Sequence, residues 1–208
     1  MQRMIDFMTG LRERKKQQTR DAIIRASFRL FRKRGFEATT IADIAEAADI
    51  SPRTFFAYFE SKEAVVFHDF DEVREGLAAH LRHREPGETT FDALRAWVDE
   101  WVASRDVQHR DDVVRRELIR ATPALGAHDD ANHAVFERLV AENVAADLGV
   151  APDSLRPRMV AAAAVAALSA LGEMYGNAIP DDPMSVVDEA IAFLQGGLGA
   201  LRKKKTRR

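Results

Sequence analysis

The 208-residue chain contains no cysteine, which removes disulfide frameworks, thiolate nucleophiles and cysteine-ligated zinc. It also lacks a glycine-rich phosphate loop, a nucleophile elbow and any paired metal motif, so a catalytic residue, a metal or a resident cofactor has no support. His109 with Asp106, and His128 with Asp129 and Asp130, come nearest to acid–base or ligand pairs. Histidine beside aspartate in a charged segment reads as surface instead. No apolar run approaches the ~20 residues of a membrane span. The opening MQRMIDFMTG has neither the apolar stretch nor the small-residue cleavage site of a secretory signal. A cytoplasmic, non-enzymatic protein without a membrane partner is the expectation. Alternation with period two is missing throughout, which excludes a sheet and leaves an all-α fold.

Net charge is small as well, at −2, but it is unevenly placed. Residues 1–62 carry 13 Lys and Arg against 8 Asp and Glu, residues 63–201 carry 12 against 25, and the last seven residues add six more cations. A basic head on an acidic body points to a polyanion met by the head alone.

Apolar residues recur at helical intervals. Ile23, Ile24, Leu30 and Phe31 lie among arginines and end at Gly35, a C-cap glycine. Thr40 N-caps a second helix in which Ile41, Ile44, Ala45 and Ala48 share one face, with Asp43 in its first turn. Ser51-Pro52 opens a third, and Ser61-Lys62-Glu63 a fourth that runs to about Arg84. Five more follow, near 90–105, 111–121, 123–148, 153–177 and 184–201, separated by proline and glycine. The segment SPRTFFAYFESK places Phe55, Phe56, Tyr58 and Phe59 within five positions. Phe55 and Phe59, four apart, face inward together, which leaves Phe56 and Tyr58 beside Arg53, Thr54 and Lys62 on the outside. Two short helices joined by a three-residue turn, the second opened by Ser-Pro, form a helix-turn-helix whose second helix enters the DNA major groove.

Residues 19–66, TRDAIIRASFRLFRKRGFEATTIADIAEAADISPRTFFAYFESKEAVV, resemble the N-terminal domain of the tetracycline-repressor (TetR) family. The likeness holds in order: TR, a helix ending in LF and RG, TT before IADIAEAA, and the closing YFESKE. It implies a nine-helix, two-domain architecture with a flexible basic arm over 1–18, a DNA-binding domain over 19–66, a regulatory and dimerisation domain over 67–201, and a basic tail over 202–208. It also implies a homodimer on a palindromic double-stranded operator, released by a small-molecule effector. Carried over by position, Thr40, Tyr58 and Lys62 contact phosphates. Pro52, Arg53 and Thr54 reach the groove with Phe56 alongside, and Ser51 caps this DNA-facing set. Arg53 is the expected base reader, since a guanidinium on guanine is the commonest specific contact. Phe56 packs on a sugar or a thymine methyl. Asp49 stands where the family places a turn glycine, and aspartate tolerates the left-handed region better than most residues. Arg12, Arg14, Lys15 and Lys16 form either a minor-groove arm or a solubilising tail.

In the second half, Met159, Val160, Ala163, Ala164, Ala167, Leu168, Leu171 and Met174, with Ile191, Phe193, Leu194 and Leu198, form a stripe suited to a four-helix dimer interface or to internal core. Phe91, Leu94, Trp97, Trp101, Leu118, Phe136 and Leu139 are candidate lining of an apolar cavity, with Arg116, Arg120 and Tyr175 among the polar groups able to orient a head group. Arg116 and Arg120, four apart, either hold a phosphate or carboxylate or pair with Asp112 and Glu117. The segment RRELIRATPALGAH resembles regulators of acyl or acyl-CoA effectors. An efflux or antibiotic-response regulator with an aromatic drug-like ligand is the alternative, and a helical scaffold or an enzyme is more remote.

Overall fold

A computed structural model describes residues 2–103, 109–175 and 182–203 of the chain, and among these every regular element is a helix. There are ten: α1 (Gln2–Arg34), α2 (Ile41–Ala47), α3 (Pro52–Phe56), α4 (Lys62–Val66), α5 (Phe70–Arg82), α6 (Thr90–Ala103), α7 (His109–Ala121), α8 (Pro123–Leu148), α9 (Leu155–Tyr175) and α10 (Pro183–Lys203). The all-α expectation holds, with one helix more than expected. The extra helix arises because the anticipated fourth helix is broken at Phe67–Asp69 into α4 and α5. Nothing local forces that break, since the segment has neither glycine nor proline. The turn is held from outside: the Arg20 guanidinium donates to the carbonyl of His68, and Arg115 binds the Asp69 carboxylate at 3.0 Å.

The chain forms two compact units. The head comprises the chain up to Asp69 together with Val114–Leu125, and the body comprises Phe70–Val113 and everything from Gly126 on. The head core gathers Ile23, Phe28, Phe31, Phe36, Ile44, Phe55, Phe59, Val65 and Val66, joined by Val114, Leu118 and Leu125. Leu118, expected to line the effector cavity, is therefore part of the head's core. The body core is built on Leu77, Leu81, Phe91, Leu94, Val140, Val144, Leu171 and Val187. Asp147, at the end of α8, accepts from the Thr90 N–H, the Thr90 hydroxyl and Arg84, each at 2.7 Å, and so secures the start of α6.

Two further readings change. The basic segment 12–16 is exposed but helical, continuous with α1 rather than a separate arm. The stretch Leu155–Glu173 is, by length and a mean hydropathy of 1.2, apolar enough to cross a membrane. Alanines supply much of that value, and Arg156 and Arg158 near its start interrupt the apolar run in the sequence.

Candidate nucleic-acid interface

The helix-turn-helix is specified by its caps. Thr40 caps α2 through a reciprocal box: its hydroxyl oxygen accepts from the Asp43 N–H at 3.1 Å, and its own N–H donates to the Asp43 carboxylate at 2.9 Å. The Thr40 hydroxyl also donates to that carboxylate at 2.6 Å. Both Thr40 donors are thus engaged by the Asp43 carboxylate on an exposed residue at the start of α2. The bonds from Thr40, helped by Arg34 at 3.1 Å, hold the Asp43 carboxyl below its ordinary range.

The turn between α2 and α3 reverses at Asp49, whose φ of 54° is the left-handed conformation anticipated for it. Ser51 then caps α3, accepting from the Thr54 N–H at 3.0 Å, with Pro52 at the first helical position. Ser51 and Thr54 share a hydroxyl–hydroxyl bond of 2.8 Å, so the Thr54 hydroxyl has one polar engagement and the Ser51 hydroxyl two before any base is met.

The aromatic cluster divides as its spacing predicts. Phe55 is fully buried and Phe59 nearly so, whereas Phe56 is 55% exposed. Phe55 anchors both rings, edge-on to Phe56 at a centroid distance of 5.7 Å and tilted to Phe59 at 6.0 Å. Pro52 and Arg53 are exposed beside Phe56, while Tyr58 is half-buried and packs partly on the head core. Lys62 differs most from expectation. Its ammonium donates to the carbonyls of Phe36 at 2.9 Å and Thr39 at 3.3 Å, and it lies 4.2 Å above the Phe36 ring. It clamps the turn that presents Thr40, a role that its position 26 residues from Phe36 does not advertise.

Behind this surface sits a part-buried polar cluster. Arg115 binds Asp69 and lies 3.2 Å from the His68 imidazole, and the pair's side chains are each 16% exposed. Burial, with Arg115 and Arg20 adding to it and Asp69 opposing, lowers the His68 pKa to about 4. Burial pushes Asp69 up, but Arg115 and His68 outweigh it and keep the carboxyl below its usual range.

The expected effector residues do not converge. Phe91 and Leu94 are sealed in the body core against α9 and α10, where only about 10 Å³ is free, too little for more than one water. They are core residues here, not cavity lining. Trp97 and Trp101 stack at 6.4 Å and are half-buried, and Phe136 meets Phe70 edge-on at 5.5 Å. Arg116 and Arg120 lie in the segment of α7 that packs with the head. The side chains of Met174, Tyr175, His109 and Leu198, and all of Asp106, lie outside the described residues. An open groove of about 720 Å³ runs between α8 and α9, floored by Ala134, Ala141 and Ala162 beside Met159, a feature the sequence reading did not find. The dimer stripe proves to be two faces. Ala164, Leu171 and Ile191 are core, while Met159, Ala163 and Phe193 point outward.

A capped α2–turn–α3 pair on an aromatic core, with Arg53 and Phe56 outermost, defines a helix-turn-helix transcriptional regulator. Residues 23–68 match the family of bacterial regulatory proteins called tetR, and residues 88–199 match the MftR C-terminal domain. The chain belongs to the TetR family. It is 35% identical over 176 residues to the HTH-type transcriptional regulator TcmR of Streptomyces glaucescens, covering 81% of this chain and 76% of TcmR. It is 30% identical over 151 residues to MftR of Mycobacterium tuberculosis, covering 71% and 75%. Thermus thermophilus FadR, a repressor solved with lauroyl-CoA, shares the fold with a TM-score of 0.54 at 24% identity, covering 85% of this chain and 93% of FadR. NalD, the secondary repressor of the MexAB-OprM multidrug efflux pump in Pseudomonas aeruginosa, does so at 0.59 and 20%, covering 88% and 97%.

Proposed function

We propose that the protein is a cytoplasmic homodimeric repressor that holds a palindromic operator through paired α3 helices and leaves it on binding a small amphipathic effector. The observation that carries the DNA half is the division of α3, with Phe55 and Phe59 inside and Arg53 and Phe56 outside on a helix capped by Ser51. Gel-shift titration of the purified protein tests it. Binding should weaken steeply with salt as phosphate contacts release counterions, and a protein that ignores DNA at low salt ends the reading. Dimerisation is supported by the outward face of α9 and α10, where Met159 and Phe193 are 60% and 81% exposed.

For the effector we favour an acyl chain or acyl-CoA. Support comes from the RRELIRATPALGAH segment and from the lauroyl-CoA held by FadR on the same fold. Trp97, Trp101, Phe136 and Leu139 are the expected lining residues that share the body without being sealed in its core. The two stacked indoles give the second reading its own support, because flat rings suit an aromatic, drug-like ligand. A thermal-shift and tryptophan-quenching series with acyl-CoAs of graded length, beside aromatic antibiotics, separates the two. The favoured effector should lower operator affinity ~5–150-fold, and Trp101→Ser should abolish release while leaving DNA binding intact. Release by aromatic antibiotics alone would move the assignment to the second reading.

A further inference from the structure

Between α8 and α9 the body brings together a hydroxyl, an imidazole and a carboxylate. Asp129 and His133 lie four apart on α8 and so share one face, and Ser169 meets them from α9. The Ser169 Oγ is 3.1 Å from His133 Nε2, and His133 Nδ1 is 3.7 Å from Asp129 Oδ2. The imidazole is 38% exposed and the carboxylate 30%, so a solute reaches the set without any unfolding. Position in the chain does not advertise it. Asp129 faces a histidine four residues on, not the adjacent His128, and the serine is 36 residues further.

The donor chemistry fixes the tautomer. An ionised carboxylate only accepts, so Nδ1 carries the ring proton towards Asp129, which leaves Nε2 as acceptor and the Ser169 hydroxyl as its donor. A hydroxyl held this way can pass its proton to the ring as it attacks, which is how an ordinary serine becomes nucleophilic. The wall beside it is small and apolar: Ala162, Val165, Ala166 and Ala170 line a space of about 520 Å³. That space shares Ala134 and Ala162 with the larger groove described above. A short acyl chain suits such a wall. Asp130, Glu137 and Glu173 on the same lining repel a free carboxylate and leave an uncharged carbonyl compound as the better guest.

From this juxtaposition we infer that Ser169 is an acyl-acceptor site, with His133 as its general base and Asp129 as the positioning residue for the ring. The donor is a short activated acyl group, carried as a thioester or an oxygen ester. The Ser169 Oγ bonds to the acyl carbon and the donor's carbonyl–sulfur or carbonyl–oxygen bond breaks. The serine proton passes through His133 Nε2 to the departing thiolate or alkoxide. The products are an O-acylserine and a free thiol or alcohol, with no change of oxidation state. Ser169 lies inside α9, where backbone N–H groups are committed to the helix, so the developing oxyanion is stabilised by solvent in the open groove and not by fixed donors. Modification is accordingly slow and happens once per chain. It goes beyond effector binding, because an acylated chain keeps its adduct after the donor has gone.

The test incubates the full-length protein with butyryl-CoA and, separately, with 4-nitrophenyl butyrate. One butyryl group per chain should appear by intact mass, map to Ser169 by peptide fragmentation, and leave on treatment with alkaline hydroxylamine, which cleaves esters and spares lysine amides. The arm that labels identifies the donor as thioester or oxygen ester. Ser169→Ala, a favourable substitution in an alanine-rich helix, should remove the adduct without lowering the melting temperature. His133→Gln should slow labelling ~10²–10⁴-fold, the contribution of a general base. Asp129→Asn should slow it less, and Asp129→Glu, which keeps the carboxylate, should recover the loss. Labelling confined to lysines, or an adduct that persists in Ser169→Ala, overturns the proposal. Equal rates in wild type and His133→Gln, or in Asp129→Asn and Asp129→Glu, overturn it as well.

Discussion

Arg53 and Lys62 carry the same charge nine residues apart, yet their surroundings assign them different work. Arg53 is exposed, so Arg53→Ala should leave the melting temperature unchanged and cost ~1–3 kcal/mol on the cognate duplex, with little effect on random DNA. Lys62 is tied to two carbonyls and a ring. Lys62→Ala should lower the stability of the head by ~1–3 kcal/mol, because buried carbonyls lose their donor, and weaken cognate and random duplexes alike. Paired melts and titrations check both, and identical behaviour of the two variants would remove the distinction. At this scale the sequence was informative wherever partners are close along the chain. The caps at Thr40 and Ser51, the turn at Asp49 and the inward pair Phe55 and Phe59 all depend on spacings of four residues or fewer. The Lys62 clamp depends on three-dimensional placement, and no local pattern announces it.

Among the elements, the broken helix at Phe67–Asp69 is the clearest departure from what periodicity predicts. Its propensity favours continuation, and contacts from Arg20 and Arg115, both more than forty residues away, overrule it. The His68 in that turn has a folded pKa lowered from 6.5 to about 4, so the unfolded chain binds more protons than the folded head between those values. Stability of the head should therefore fall as pH drops from ~6.5 towards ~4, by at most ~3 kcal/mol before solvent screening reduces it. His68→Gln should flatten that slope in head-specific amide exchange. Asp147 works in the opposite sense and in another pH range. Burial pushes its carboxyl up, but the bonds from Thr90 and Arg84 outweigh burial and leave it lowered from 3.8. Its contribution is complete above the ordinary value and is lost only as pH falls below it. Acid should thus loosen the head first and the start of α6 later. Asp147→Ala should cost the body ~1–3 kcal/mol at neutral pH, read by urea unfolding through tryptophan fluorescence, since both tryptophans lie on α6. The helices of the second half were legible from their proline and glycine breaks. The stripe over α9 and α10 was not separable into core and outward faces, because alanine is equally at home in both.

For the whole molecule, charge and symmetry set the expectations. With five excess cations over residues 1–62 and thirteen excess anions over residues 63–201, the protein gains most from DNA when two heads act together, about one helical turn apart at ~34–36 Å. Phe193→Glu places a charge on the outward face of α10 without touching the core. We expect it to sediment as a folded monomer and to lose most of its operator affinity, since a single head retains only half the contacts. A variant that remains dimeric would move the interface away from α10. The placement of the segment bearing Arg116 and Arg120 in the head was the feature least recoverable from sequence, because membership of the head is decided by Val114, Leu118 and Leu125 and not by position along the chain.

That membership bears on modularity. Regulators of this kind invite chimaeras in which one protein's reading head is grafted onto another's sensor by cutting near residue 69. Here such a cut takes three core side chains away from the graft and leaves them with the donor's body. A fragment ending at Asp69 should be markedly less protected from proteolysis than the same residues in the intact chain, and supplying 114–125 as a peptide should restore part of the protection. Transplanting specificity in this protein means moving two stretches of chain, because the reading head is sewn from both.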